Sequence, residues 1–183
     1  SFGDATFEQK ILDAHKLHVA IKITEELLYD NAFGLENYII TEFGKALANA
    51  EEDAFLNGDG VGKPTGIFDK TKGGESIGTL TAALKSDDIL DLIYKLKRPY
   101  RKNASFIMND ATLAQIRKLK DNNGQYLWQP SYQANEPDKI LGYNIRTSAF
   151  APTDAIAFGD YKYYNIGDRG SRSFKQLNEL FAG

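Results

Sequence analysis

The stretch from Glu51 to Phe68, Glu-Glu-Asp-Ala-Phe-Leu-Asn-Gly-Asp-Gly-Val-Gly-Lys-Pro-Thr-Gly-Ile-Phe, limits the possible folds more than any other part of the chain. A segment rich in Ala and acids, suited to a helix, runs there into four glycines within nine residues, Gly58, Gly60, Gly62 and Gly66. Glycine permits positive φ and weakens a helix interior, so the helix is expected to end near Asn57. Two nucleotide-binding readings of the turn fail on its residues. A phosphate-binding loop would need Gly at position 57 and Ser or Thr at position 64, where Asn57 and Pro64 stand. A dinucleotide loop would need Gly at position 63, which is Lys63. Both loops also follow a strand and open a helix, whereas these glycines follow a helix. The plain alternative, a structural turn, is the expectation.

Upstream, Leu35, Ile39, Phe43, Ala46, Leu47, Ala50 and Ala54 recur at helical spacing opposite Glu36, Thr41, Lys45, Asn49 and Glu52. This predicts one long helix over about 34–57. Before it, Leu17, Val19, Ile21 and Ile23 alternate with polar or small residues as a half-buried strand, and Thr24 opens a short helix through Leu28. After the glycines, residues 69–85 read as a weak hairpin or connector turning at Gly73-Gly74. Ser86, Asp87 and Asp88 start a helix with the buried stripe Ile89, Leu92, Ile93 and Leu96, ended by Pro99. Ala104 to Met108 follows as a strand. Asn109 or Asp110 then caps a helix carrying Leu113, Ile116 and Leu119, which ends in the turn at Asp121 to Gly124. Leu141, Tyr143, Ile145 and Thr147 alternate as a strand, and Ala155 to Ile166 is strand-like up to Gly167-Asp168. Helix, strand, helix and strand over residues 86–158 indicate an α+β or α/β layer.

The order of these motifs resembles that of the tailed-bacteriophage major capsid proteins, the family with the Hong Kong ninety-seven type fold. The carrying residues are Thr24-Glu25-Glu26-Leu27-Leu28-Tyr29-Asp30, Glu51-Glu52-Asp53-Ala54-Phe55, Gly58-Asp59-Gly60 and Phe106-Ile107-Met108-Asn109. They continue with Lys120-Asp121-Asn122-Asn123-Gly124-Gln125-Tyr126-Leu127, Leu141-Gly142-Tyr143-Asn144-Ile145 and Phe158-Gly159-Asp160-Tyr161. Each alone is weak, but seven in the family's order are specific. The resemblance implies an α+β capsid fold with three parts. Residues 1–68 would form a peripheral domain with a spine helix and the end of an extended hairpin, residues 69–159 an α/β axial domain with its connector, and residues 160–183 a return to the peripheral domain. The family's N-terminal arm and most of its hairpin would precede Phe2, so a core fragment that assembles poorly is the expectation.

Function follows as an expectation from the same resemblance. The chain would be a structural protein of an icosahedral shell in a tailed double-stranded DNA phage or a prophage, not an enzyme and without a cofactor. Its partners would be its own copies in pentamers and hexamers, scaffold and portal proteins, and enclosed DNA held without sequence recognition, in the virion and, during assembly, the host cytoplasm. An encapsulin-like nanocompartment shell and an α+β hydrolase are the alternatives.

Composition trims the other classes. The 183 residues carry a net charge of −3, 42% hydrophobic and 26% charged residues, the profile of a globular chain with no apolar run long enough to span a bilayer. The absence of cysteine removes disulfides, thiolate catalysis and Cys-based metal sites. His15 and His18 are the only histidines, and odd spacing in a strand sends them to opposite faces, which disfavours a shared metal or a Ser-His-Asp triad. The paired acids Glu51-Glu52 and Asp87-Asp88 suit solvated helix ends better than a glycosidase pair. The Asp121 turn has Tyr132 where a calcium-binding EF-hand needs Glu.

The remaining candidates concern contacts. Tyr126, Trp128 and Tyr132 are large aromatics in a loop, suited equally to anchoring a neighbour or covering their own core. Lys95, Lys97, Arg98, Arg101 and Lys102 form a basic run that suits a phosphate or an acidic partner. The plain alternative is solvated cations near a helix C-terminus. The run and the acids Glu51 and Glu52 are expected to pair between subunits, with Asp168 and Arg169 as further charged contact candidates.

Overall fold

The computed structural model of the chain describes residues 14–18, 35–79, 83–120, 123–125 and 139–170. Helix α1 is Leu35–Asn57, 23 residues and therefore about 35 Å long. Its half-buried side includes Ile39, Phe43, Ala46, Leu47, Ala50 and Ala54, while Thr41, Lys45, Asn49 and Glu52 are exposed, as the helical spacing requires. Tyr38 and Ile40 nonetheless remain exposed. The predicted strand at 17–23 and helix at 24–28 lie outside the described residues, apart from residues 17 and 18, which belong to no regular element.

Helix α2, Ser86–Lys95, turns Ile89 and Ile93 inward. The Lys85 N–H donates to the Asp88 carboxylate (2.8 Å), so Asp88 closes the first turn and Lys85, not Ser86, is the cap residue. Pro99 does not merely end α2. It sits in the first turn of a new four-residue helix α3, Arg98–Arg101, where a missing N–H costs nothing. Strand β1 is Ser105–Met108 and helix α4 is Asp110–Arg117, capped by the Asn109 side chain, which accepts from the Ala111 N–H (2.9 Å).

Strands β2 (Lys139–Ile140), β3 (Tyr143–Thr147) and β4 (Ile156–Gly159) join β1 in a four-stranded sheet of order β2-β3-β1-β4. Strands β1 and β3 are parallel, and the other two pairings are antiparallel. The predicted strand through Leu141 is corrected here. Leu141 and Gly142 both take positive φ (50° and 85°) and form the two-residue link of a tight hairpin pairing Ile140 with Tyr143, so Leu141 is exposed instead of joining the buried stripe. The strand-like reading of 155–166 is shortened for a similar reason. The Asp160 side chain accepts from the Lys162 N–H and turns Tyr161–Tyr163 into a 3₁₀ turn. No strand forms among the described residues of 69–85; Asp69 organises a turn there.

The core lies on one face of this sheet. Phe106 and Met108 of the interior strand β1 are wholly buried, and Ile145 and Ile140 join them with Ile89 and Ile93 of α2 and Leu113 and Ile116 of α4. Phe106 meets Phe158 at 4.5 Å between ring centroids and Tyr143 edge-on at 6.4 Å, an aromatic seam across three strands. Truncating Phe106→Ala leaves a cavity that nothing nearby fills, and should cost about 3–5 kcal/mol, read as a drop in the urea midpoint at unchanged slope.

Candidate functional site

The glycine-rich turn is where α1 meets the sheet layer. The chain leaves the helix at Gly58, runs out and back, and returns so that the N–H groups of Ile67 and Phe68 donate to the last-turn carbonyls of Phe55 (2.9 Å) and Leu56 (2.8 Å). Helix-end carbonyls otherwise lack partners, and here the chain's own return strand supplies them. Gly66 N–H donates to Gly58 O (2.7 Å), and Asp59 bridges Thr65, closing the loop.

The glycines divide the task. Gly60 and Gly62 adopt φ of 76° and 68°, the conformational use that the sequence suggests. Gly58 and Gly66 are needed for space. A Cβ on Gly58 would lie 1.9 Å from Pro64 O, and one on Gly66 would lie 2.5 Å from both Leu56 O and Gly58 N. Gly73 is similarly enclosed by the carbonyls of Asp69, Ile67 and Gly66.

Side chains then tie this turn to the layer. Asn57, in the last position of α1, donates to Asp53 Oδ1 (2.8 Å) and to the Phe150 carbonyl (2.7 Å). The same 148–151 segment is held from the other side by Asn109, whose amide donates to Ala151 O (2.8 Å) and lies 3.3 Å from Ala149 O. Thr112, buried on α4, donates to Thr153 O (2.8 Å). On the far side of the turn, Tyr164 donates to Thr65 O (2.7 Å) and its ring stands edge-on to Phe55 at 6.1 Å. Two asparagines and one tyrosine thus connect the end of α1, the start of α4 and the segment leaving β4.

Charge sits lightly on this junction. The Lys72 N–H, with the hydroxyl and N–H of Thr71, holds the Asp69 carboxyl below its ordinary pKa, and the Val61 N–H does the same for Asp59. Burial pushes the Tyr161 phenol upward, and its enclosed hydroxyl has no hydrogen-bond partner among the described residues. Among the described residues, no group of three or more His, Asp or Glu side chains is placed to hold a metal ion.

The sequence model of the phage capsid family matches residues 3–182. The chain belongs to that family. It is 26% identical to the major capsid protein of Enterobacteria phage HK97 over 133 residues, 69% of this chain and 33% of that protein. Among solved structures it is similar to the capsid of a native GTA particle computed with C5 symmetry, with 37% identity and a TM-score of 0.68, covering 80% of this chain and 56% of that one. The capsid of the empty GTA particle gives 38% identity and a TM-score of 0.63, over 75% and 53% of the two chains. The chain therefore spans about a third of the HK97 protein and a little over half of the GTA capsid chains.

In this capsid-family chain the predicted contact residues fall into separate places. Lys97, Arg98 and Arg101 are brought together with Lys95 and Lys102 on the end of α2 and on α3. Lys95 lies in the last turn of α2, Lys97 and Arg98 follow its end directly, and Arg98 and Arg101 lie in the single turn of α3, so the cations stand near helix C-termini. Glu51 and Glu52 lie on α1, Glu52 exposed and Glu51 half-buried and already engaged. Asp168 and Arg169 are exposed in a stretch without regular structure. Tyr126, Trp128 and Tyr132 lie outside the described residues. Sequence reasoning placed the cap at Asn109 or Asp110 but gave no signal for the second role of Asn109 or for Asn57 and Tyr164, whose side chains act on backbone atoms about forty to a hundred residues away.

Gly66→Ala should destabilise the chain by about 2–3 kcal/mol or more through backbone overlap, and Gly62→Ala by only about 1–2 kcal/mol through its φ, as measured by urea unfolding. Tyr161→Phe should be neutral or stabilising, because it removes an enclosed hydroxyl that makes no bond. Since the folded pKa of Asp69 is lowered, its contribution is complete above the unfolded pKa and disappears as pH falls through the folded value. An NMR titration of its carboxyl carbon should therefore give a midpoint below that of an unstructured Asp.

Proposed function

We propose that the chain is the structural subunit of a phage-type shell, closing by self-assembly around double-stranded DNA in a tailed phage or prophage particle. The observation that carries this reading is the match to the GTA capsid, 37% identity at a TM-score of 0.68 over 80% of this chain, in a particle described with five-fold symmetry. Five-fold rings need heterologous contacts, in which two different surfaces of one subunit meet. A long rod fixed at one end to a sheet layer gives such a subunit two separate surfaces. The subunit parts would be a peripheral unit built on α1 and an axial unit built on the sheet, with residues 160–183 returning to the former. Glu52, Asp168 and Arg169, with Tyr126, Trp128 and Tyr132, are the contact candidates outside the basic run. The role is structural and not catalytic, with the particle as the final location and scaffold and portal proteins as assembly partners.

Cryo-electron microscopy of particles formed in cells by the protein as it is naturally expressed, with any flanking segments, tests this reading. Closed shells with five-fold vertices and an absorbance ratio typical of packaged nucleic acid are expected. A monomer at all concentrations would contradict the shell, and shells filled with a protein cargo would favour the nanocompartment alternative.

A further inference from the structure

Between Tyr94 and Lys102 the chain carries five cations and no acid, against a net charge of −3 for the whole chain. None of Lys95, Lys97, Arg98, Arg101 and Lys102 forms an ion pair with a described carboxylate; the described ion pairs involve Lys45 and Lys162. One of the five, Arg101, is held in place, and the helix that carries it is anchored. Arg101 Nε donates to Leu96 O (2.7 Å) and its guanidinium lies over the Tyr94 ring at 5.0 Å. Tyr100 packs edge-on against Tyr163 at 5.3 Å, fastening α3 to the turn after β4, where Lys162 lies over the Tyr163 ring at 5.1 Å. Tyr94, Tyr100 and Tyr163 are 68%, 39% and 60% exposed, so the result is an open surface of cations and tyrosines on an anchored helix.

We infer that this α2–α3 surface contacts the sugar-phosphate backbone of DNA without reading its sequence. The choice of a polyanion over a second copy of this chain rests on charge matching. The acids closest together in the described sequence are Glu51–Asp53 and Asp87–Asp88. Asp53 already accepts from Asn57, Glu51 is engaged and Asp88 closes the first turn of α2. The exposed acids Asp87 and Asp91 lie on α2 itself, with the cations, and the cluster at 51–53 supplies at most three carboxylates, so no described surface gathers enough of them to answer five cations, whereas each nucleotide of DNA supplies one negative charge along a continuous path. Lysine and arginine heads and tyrosine hydroxyls all donate to phosphate oxygens, and backbone contacts of this kind carry no sequence information. That the DNA is the content of a shell rests on the proposed function; the binding itself does not.

Fluorescence anisotropy of a labelled 20-base-pair duplex, titrated with the purified chain at several salt concentrations, tests the inference. With five phosphates neutralised, log K should fall against log salt with a slope of about −4.5, equally for two unrelated duplex sequences. The double variant K97E/R98E should bind at least about tenfold more weakly at low salt with a slope reduced to about −2.7. K70E/K139E makes the same change of net charge elsewhere and should retain binding close to that of the parent. Equal losses in both variants, or no binding by the parent, would overturn the inference. So would failed shell assembly in K97E/R98E with DNA binding intact, which would assign the surface to a neighbouring subunit. Salt-dependent binding by a chain that forms no shells would instead refute the proposed function and leave the DNA surface standing. Circular dichroism of each variant separates loss of binding from loss of fold.

Discussion

The contact on which the rest depends is the pair of hydrogen bonds from the N–H groups of Ile67 and Phe68 to the last-turn carbonyls of α1. A rod of 23 residues ends in carbonyls that must find donors, and most helices satisfy them with a local glycine cap or with water. Here the donors come from the returning chain after an excursion of about eight residues, so the helix end and the path into the next layer are fixed by the same bonds. Each such bond contributes only about 1 kcal/mol net. Their weight lies in geometry, because the approach works only if two residues have no Cβ. A substituent on Gly58 or Gly66 would overlap backbone atoms that cannot move without breaking the bonds themselves.

From that fixed end, the coupling to the sheet runs through polar side chains bound to backbone carbonyls. Asn57 and Asn109 hold the 148–151 segment from opposite sides, and Tyr164 closes onto Thr65. An amide suits this work, since it donates to carbonyls and carries no charge that would need desolvating at a partly buried joint. The apolar core on α2, α4 and the sheet gives the layer its stability, while the asparagines define where α1 meets it.

Helix α1 was legible in the sequence almost to the residue, because helical spacing and a glycine run gave its length and its end independently. Met108-Asn109 as a strand followed by a cap was equally clear, since β-forming residues and an Asx cap are local signals. The hairpin at Leu141-Gly142 was not, because leucine at positive φ contradicts its own preference and is held there by the pairing of Ile140 with Tyr143. The glycines at 58 and 66 looked like conformational glycines, yet serve steric needs set by atoms up to ten residues away. The basic run was visible as composition, but the seating of α3 by Tyr100 against Tyr163 depends on a contact about sixty residues away that no local pattern encodes.

Native-state hydrogen exchange at the amides of Ile67 and Phe68 tests the central claim most directly. If these two N–H groups cap α1, they should be protected to the same degree as the last turn of the helix and exchange together with it, far more slowly than the amide of the neighbouring exposed Lys63. Exchange at Ile67 and Phe68 as fast as at Lys63, with the helix end still protected, would show that the returning chain does not hold the rod.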